Sequence, residues 1–163
     1  AAAVWIAQAL TPDNHVVHVL APIFAILGHN YSLFMMERDE SGKMKFRGGA
    51  GGAPALGGAM GLWLPMCPIA FGIGALIWFT VGIASLTTMA IGLVVIIIFA
   101  VRAYLGLQNP VDISYGIVAE LLLIWALRPN IKKLLAGNER VIGLSLNGWL
   151  RARKEAKEQA THK

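Results

Sequence analysis

The chain has 163 residues, of which 56% are hydrophobic and 14% charged, with a formal net charge of +5. An ordinary soluble domain carries about 25% charged residues, so this balance excludes one. The single cysteine, Cys67, excludes a disulfide or zinc–thiolate framework within the chain. The basic excess gathers at the C-terminal end with no run of interleaved aromatics, so no nucleic-acid partner is expected.

In chain order, residues 1–10 are apolar but too short to span a bilayer, and no basic n-region precedes them. They read as the end of a helix that begins upstream. Thr11-Pro12-Asp13-Asn14 is a turn, and Asp13 or Asn14 suits a helix N-cap. Residues 16–36 form one span, and residues 37–45 form a charged loop outside the membrane. Phe46-Arg47-Gly48-Gly49-Ala50-Gly51-Gly52 then leads into Ala53-Pro54, where a proline near a helix start is well placed.

From residue 53 to residue 107 the only Asp, Glu, Lys, Arg or His is Arg102. At about 20 residues per crossing, that stretch holds at least two spans. Residues 53–63 read as a short helix broken by Pro65 and Pro68. Residues 69–83 and 85–107 continue the apolar run. Asn109-Pro110 is a turn, and residues 111–127 form the last span. The loop at 37–52 and the tail from Arg128 are both rich in Lys and Arg. The positive-inside rule puts both on the cytoplasmic side, which requires an even number of crossings between them. Counting the short helix separately gives four. The fold class expected is all-α: a polytopic transmembrane helix bundle with a short broken helix and interfacial amphipathic helices.

Two segments carry candidate chemistry. The glycine-dense run offers successive backbone N–H groups ahead of a helix N-terminus, an arrangement that binds phosphate, and Arg47 adds a forked cation. Close helix packing in lipid explains the same glycines. Residues 128–139, Arg-Pro-Asn-Ile-Lys-Lys-Leu-Leu-Ala-Gly-Asn-Glu, read as a separate helix with Pro129 at its start and Gly137 past its end. Ile131, Leu134 and Leu135 make an apolar stripe beside Lys132 and Lys133. An interfacial helix explains the stripe and the lysines, but not Asn130 or Glu139.

These residues carry a resemblance. Gly28-His29-Asn30-Tyr31, Phe46-Arg47-Gly48-Gly49-Ala50-Gly51, Ser85-Leu86 and the ungapped run Asn130-Ile131-Lys132-Lys133-Leu134-Leu135-Ala136-Gly137-Asn138-Glu139 resemble, in order, the motifs of the bacterial membrane acyl-phosphate:glycerol-3-phosphate acyltransferases. The likeness spans roughly residues 1–145. It implies an all-helical enzyme of the bacterial inner (cytoplasmic) membrane, multi-pass with a cytoplasmic C-terminus, that needs no metal or cofactor. Such an enzyme moves a fatty acyl group from acyl phosphate to glycerol 3-phosphate in phospholipid synthesis, with membrane lipid as its surroundings. It further implies that Arg47, Gly48, Gly49, Gly51, Lys132 and Lys133 bind substrate phosphate. Ser85, Asn130, Glu139 and His29 would form the catalytic set. Residues 1–145 would be the transmembrane acyltransferase-like domain, and residues 146–163 a basic cytoplasmic tail.

The chain departs from the family pattern at several points. The second lysine of the glycine loop is Ala50, the proline after the Gly-His motif is Ser32, and a histidine three residues before the asparagine is Leu127. The loop before Phe46 is longer, and the family's first helices, with their Ser-Gly-Asn loop, have no counterpart here. An alternative reading follows: a catalytically inactive homologue acting as a structural subunit of a larger membrane complex. In such an assembly the mid-span His18 would ligate a porphyrin or hydrogen-bond a neighbouring helix. Glu120, a lone acid mid-span, reads as a pocket-lining or paired group, or as part of an ion path.

Overall fold

The structure, a computed structural model, describes residues 1–32, 36–38, 42, 44–46 and 48–161. It contains helices α1 (Ala2–Leu10), α2 (His15–Asn30), α3 (Gly52–Leu62), α4 (Met66–Val81), α5 (Ala84–Tyr104), α6 (Val111–Leu135) and α7 (Leu146–Thr161). Between α2 and α3, strands β1 (Met36–Arg38) and β2 (Met44–Phe46) pair antiparallel, with Glu37 opposite Lys45. The chain is thus a helical bundle with one small ribbon.

Local chemistry sets the helix ends. Asn14 caps α2, its side chain accepting from the Val17 N–H at 3.4 Å. α2 stops at Asn30, six residues short of the span expected over residues 16–36, because the chain turns into β1 at Met36. α5 and α6 each end on a glycine in the left-handed region, Gly106 (φ 68°) and Gly137 (φ 70°). In both, the next N–H reaches back to close the last turn: Leu107 to the Arg102 carbonyl and Asn138 to the Lys133 carbonyl, each at 2.8 Å.

α3 sits at the centre. Its sequence, GAPALGGAMGL, places only Ala55, Gly58, Ala59 and Gly61 on the buried face. Side chains this small let backbones approach closely, the packing mode that works where lipid offers no hydrophobic drive between helices. A methyl group on Gly58 would overlap the Tyr115 hydroxyl and lie 2.7 Å from Pro22 Cβ, and one on Gly61 would lie 2.7 Å from Val4 Cβ. α3 therefore touches α1, α2 and α6 through its glycines. Tyr115, fully buried on α6, donates its hydroxyl to the Ala55 carbonyl at 2.5 Å. Around this contact the core gathers Val19, Ile23 and Ile26 of α2, Val95 and Phe99 of α5, and Ala119 and Leu123 of α6.

The outer surface is apolar. Phe24, Phe71, Phe79, Ile97 and Leu121 all stand well exposed, Phe71 by 73%. Large apolar side chains exposed in this number on a helical bundle belong against lipid. Among the described residues, α5 alone is long and apolar enough to cross by length and composition, while α2 and α4 have 16 residues each. At about 1.5 Å per residue those two rise roughly 24 Å, short of a ~30 Å hydrocarbon core. α3 is shorter still. It runs from Gly52, beside Thr88 near the start of α5, to Trp63, whose ring lies 3.9 Å beneath the Arg102 guanidinium near the end of α5.

Four helices, α3 to α6, separate the ribbon from α7, so ribbon, α4–α5 corner and tail meet at one end of the bundle. The opposite end is closed by a polar strap. Asp112, 2% exposed, lies 2.6 Å from His15 Nε2 and accepts from Gln108 Nε2 at 2.8 Å, and Arg102 Nε donates to Gln108 Oε1 at 2.8 Å. His18, expected mid-span, stands instead in the first turn of α2, with its Nε2 2.8 Å from the Thr11 carbonyl at the end of α1 and its ring edge-on to His15, which is the hydrogen-bonded reading of that residue.

Gly58→Ala is expected to destabilise the fold by about 1–3 kcal/mol, since the added methyl must displace both Tyr115 and Pro22. A lower thermal midpoint in detergent checks this. An unchanged midpoint would mean that α3 does not sit as close to α2 and α6 as described.

Candidate functional site

The ribbon end of the bundle is organised by the last turns of α6. The sequence suggests a break at Pro129 and a new helix after it. Instead, α6 runs unbroken from Val111 to Leu135 with Pro129 inside. Proline has no N–H for the carbonyl four residues back, which here is Trp125. Arg128 supplies the missing donor: its Nε gives a hydrogen bond to the Trp125 carbonyl at 2.8 Å, and its guanidinium lies 3.3 Å over the Trp125 ring. The basic segment is thereby fixed as a rigid extension of a membrane helix, not a separate interfacial one.

Helical spacing splits that extension into two faces. Arg128, Pro129 and Lys132 face one cleft of about 450 Å³, shared with Asn30, Tyr31, Gly48, Gly49 and Trp125. Asn130 and Lys133 face a second cleft of about 400 Å³, shared with Ala84, Asn138, Glu139, Arg140 and Ile142.

In the first cleft the glycine loop is packed against the end of α2. A side chain on Gly48 would overlap the Asn30 carbonyl, and one on Gly49 would overlap His29 Nε2. Gly51 has φ 82° and lies against the buried Asn30 amide oxygen, which has no hydrogen-bond partner among the described residues. The glycines are therefore needed for close approach, and Gly48 and Gly49 also line the opening. His29 stands as the wall behind Gly49. Arg47, expected as the loop's cation, lies outside the described residues.

Behind the second cleft Ser85, 1% exposed in the first turn of α5, donates its hydroxyl to Glu139 Oε2 at 2.7 Å. This bond ties the segment after α6 to the start of α5. It brings together four residues proposed from sequence: Ser85, Asn130, Lys133 and Glu139. Of the rest, Lys132, Gly48 and Gly49 share the first cleft, with His29 and Gly51 beside it.

Sequence reasoning misses Asn30, Arg128 and Arg140 as cleft residues. In sequence, Arg128 and Arg140 read only as tail charge. The proline after Arg128 and the tryptophan three residues before it are the available signals. Leu127, in the place of the family's histidine, is buried in the core.

Two apolar spaces lie below the clefts. One, about 210 Å³, runs between α3, α5 and α6 from Gly52 and Thr88 to Glu120, whose Oε2 is buried against Gly92 without a partner among the described residues. Glu120 is thus a pocket-lining acid. The other, about 480 Å³, is a groove between α4 and α5 walled by Phe71, Trp78, Phe79 and Ile91, with Thr87 at its edge.

A family model described as glycerol-3-phosphate acyltransferase matches residues 1–137. The chain is 35% identical over 142 residues to glycerol-3-phosphate acyltransferase 2 of Moorella thermoacetica, covering 86% of this chain and 65% of that protein. It is 30% identical over 145 residues to the glycerol-3-phosphate acyltransferase of Aromatoleum aromaticum, covering 88% and 66%. The chain thus spans slightly less than two thirds of the length of these relatives. Its fold is similar to the crystal structure of PlsY (YgiH), an integral membrane glycerol 3-phosphate acyltransferase. The TM-score is 0.72 for the lysophosphatidic acid form, at 24% identity, over 87% of this chain and 65% of that one. For the glycerol 3-phosphate form it is 0.69, at 24% identity, over 86% and 64%.

Ser85→Ala leaves Glu139 without its donor and should loosen the segment after α6. A lost hydrogen bond to a charged group is worth about 1.5–3 kcal/mol, so amide exchange across residues 138–142 is expected to rise about tenfold or more. Mass-spectrometric hydrogen exchange measures it. Unchanged protection would show that other contacts hold the segment.

Proposed function

The chain belongs to the glycerol-3-phosphate acyltransferase family, and from that premise we propose that it transfers a fatty acyl group from an acyl phosphate to glycerol 3-phosphate. The observation that carries this reading is the pair of clefts on two faces of one cationic helix end, with Arg128 and Lys132 in one and Asn130, Lys133 and Arg140 in the other. Two phosphorylated substrates need two anion sites held at a fixed separation, and one rigid helix supplies both. The bacterial inner membrane, with this end and the C-terminus cytoplasmic, is the location that the clustered Lys and Arg support.

In this reading the Gly48–Gly49 cleft seats one phosphate between backbone N–H groups and the Lys132 and Arg128 cations, with Arg47 and Gly51 in the adjoining chain. Lys133 and the Asn130 amide hold the other. The acyl chain lies in the bilayer-facing groove of Phe71, Trp78 and Phe79, whose lining includes Thr87, two residues from Ser85. The primary hydroxyl of glycerol 3-phosphate attacks the acyl carbonyl carbon. A new carbon–oxygen ester bond forms, the bond from the acyl carbon to the phosphate oxygen breaks, and phosphate leaves with the hydroxyl proton. The products are lysophosphatidate and hydrogen phosphate.

Acyl phosphate is already activated, so aligning the two anions supplies much of the acceleration. Cations and amides aimed at the developing charge supply more. Ser85 and Glu139 are positioning residues, fixing the second cleft through their mutual hydrogen bond. His29 backs the glycine loop and shapes the first.

Purified protein given palmitoyl phosphate and radiolabelled glycerol 3-phosphate is expected to form labelled lysophosphatidate. Asn130→Ala and Lys132→Ala should each lower the rate by about a hundredfold, the scale of losing one donor to a developing anion. Absence of labelled lipid, or full activity in both variants, would overturn the assignment.

A further inference from the structure

The family match ends at residue 137, and the chain beyond it forms a second basic structure. Gly82 ends α4 with φ 70°, and its carbonyl accepts from the Ile142 N–H at 2.9 Å. Ser145, 1% exposed, packs against Gly82 so closely that no side chain fits there. Its hydroxyl accepts from the Gly148 N–H at 3.0 Å, which makes it the N-cap of α7. Asn147 Nδ2 then donates to the Val81 carbonyl at 3.2 Å, and Gly148 lies against the Ile142 carbonyl with no room for a methyl.

Asn147 and Gly148 therefore turn one face of α7 to the bundle. The opposite face carries Leu146, Trp149 and Leu150, each about half exposed, after Leu144 at 86%. Arg153 follows one turn later, its guanidinium 4.5 Å over the Trp149 ring, and Arg151 is exposed.

We infer that α7 is a surface helix that docks on anionic phospholipid. It is anchored at the α4–α5 corner, where membrane helices end, so the bilayer that holds the bundle lies beside it. A helix with Leu and Trp on one face, Arg153 stacked on that tryptophan and an exposed Arg151 on the polar face suits the headgroup boundary: the apolar side chains enter, tryptophan sits at the interface, and guanidinium groups fork onto phosphate. A zwitterionic surface would satisfy the apolar stripe but not the arginines, whose attraction to an anionic leaflet adds per residue. This inference concerns a surface outside the clefts and stands whether or not the acyl transfer does.

The test uses the whole chain in nanodiscs, with Cys67→Ser and a fluorescent label on Leu150→Cys. Discs of phosphatidylcholine alone are compared with discs of equal parts phosphatidylcholine and phosphatidylglycerol. Quenching by acrylamide, which is neutral, is expected to fall about threefold or more in the anionic discs, and to recover with added salt or with Arg151→Glu and Arg153→Glu together. Equal quenching in both discs would overturn the inference, and so would shielding that ignores salt. The salt titration is decisive by itself, because it leaves both arginines in place and does not depend on the charge-reversed variant folding.

Discussion

Everything at the ribbon end depends on how closely α3 can approach its neighbours. Gly58 against Pro22 and Tyr115, and Gly61 against Val4, leave no room for a single methyl. Only with α3 this deep do the ends of α2, α5 and α6 converge, and only then does the glycine loop fold back onto His29 and Asn30. In lipid, apolar side chains gain little by leaving one apolar medium for another, so close backbone contact and satisfied polar groups must hold helices together. The Tyr115 hydroxyl on the Ala55 carbonyl is the polar half of that arrangement.

A second dependence sits at Pro129. A proline inside a helix commonly kinks it, and a kink here would turn Lys132 and Lys133 away from both clefts. Arg128 stacks on Trp125 and takes up the carbonyl that proline orphans. One residue thus repairs the helix and lines a cleft. Ser85 and Glu139 do the complementary work at the other edge, joining α5 to the chain that leaves α6.

Much of this is legible in the sequence. The four helices between ribbon and tail follow from parity and from reading residues 53–63 as a separate element. Gly137 is recognisable as the stop after the last basic helix. The run from Asn130 to Glu139 points to the second cleft, because order and spacing along one helix survive in sequence. Three things are not legible. Proline at 129 signals a helix start, since the compensating bond from Arg128 exists only in three dimensions. The end of α2 at Asn30 is hidden by apolar residues that continue to Met36. The contact of Asn30 with Gly48 and Gly51 joins residues about twenty apart through packing, which has no periodicity to read.

The strap of His15, Asp112, Gln108 and Arg102 ties these polar groups to one another at the far end of the molecule, whereas the ribbon end presents Arg128, Lys132, Lys133 and Arg140 to its clefts and Arg151 to its surface. Carrying those cations through hydrocarbon costs about 2.5–3.5 kcal/mol for each one at mid-bilayer. The bundle is therefore a rectifier: whichever way it is first threaded into a membrane, thermal motion will not turn it over. Its sidedness is fixed once, at insertion, and needs no soluble partner to preserve it.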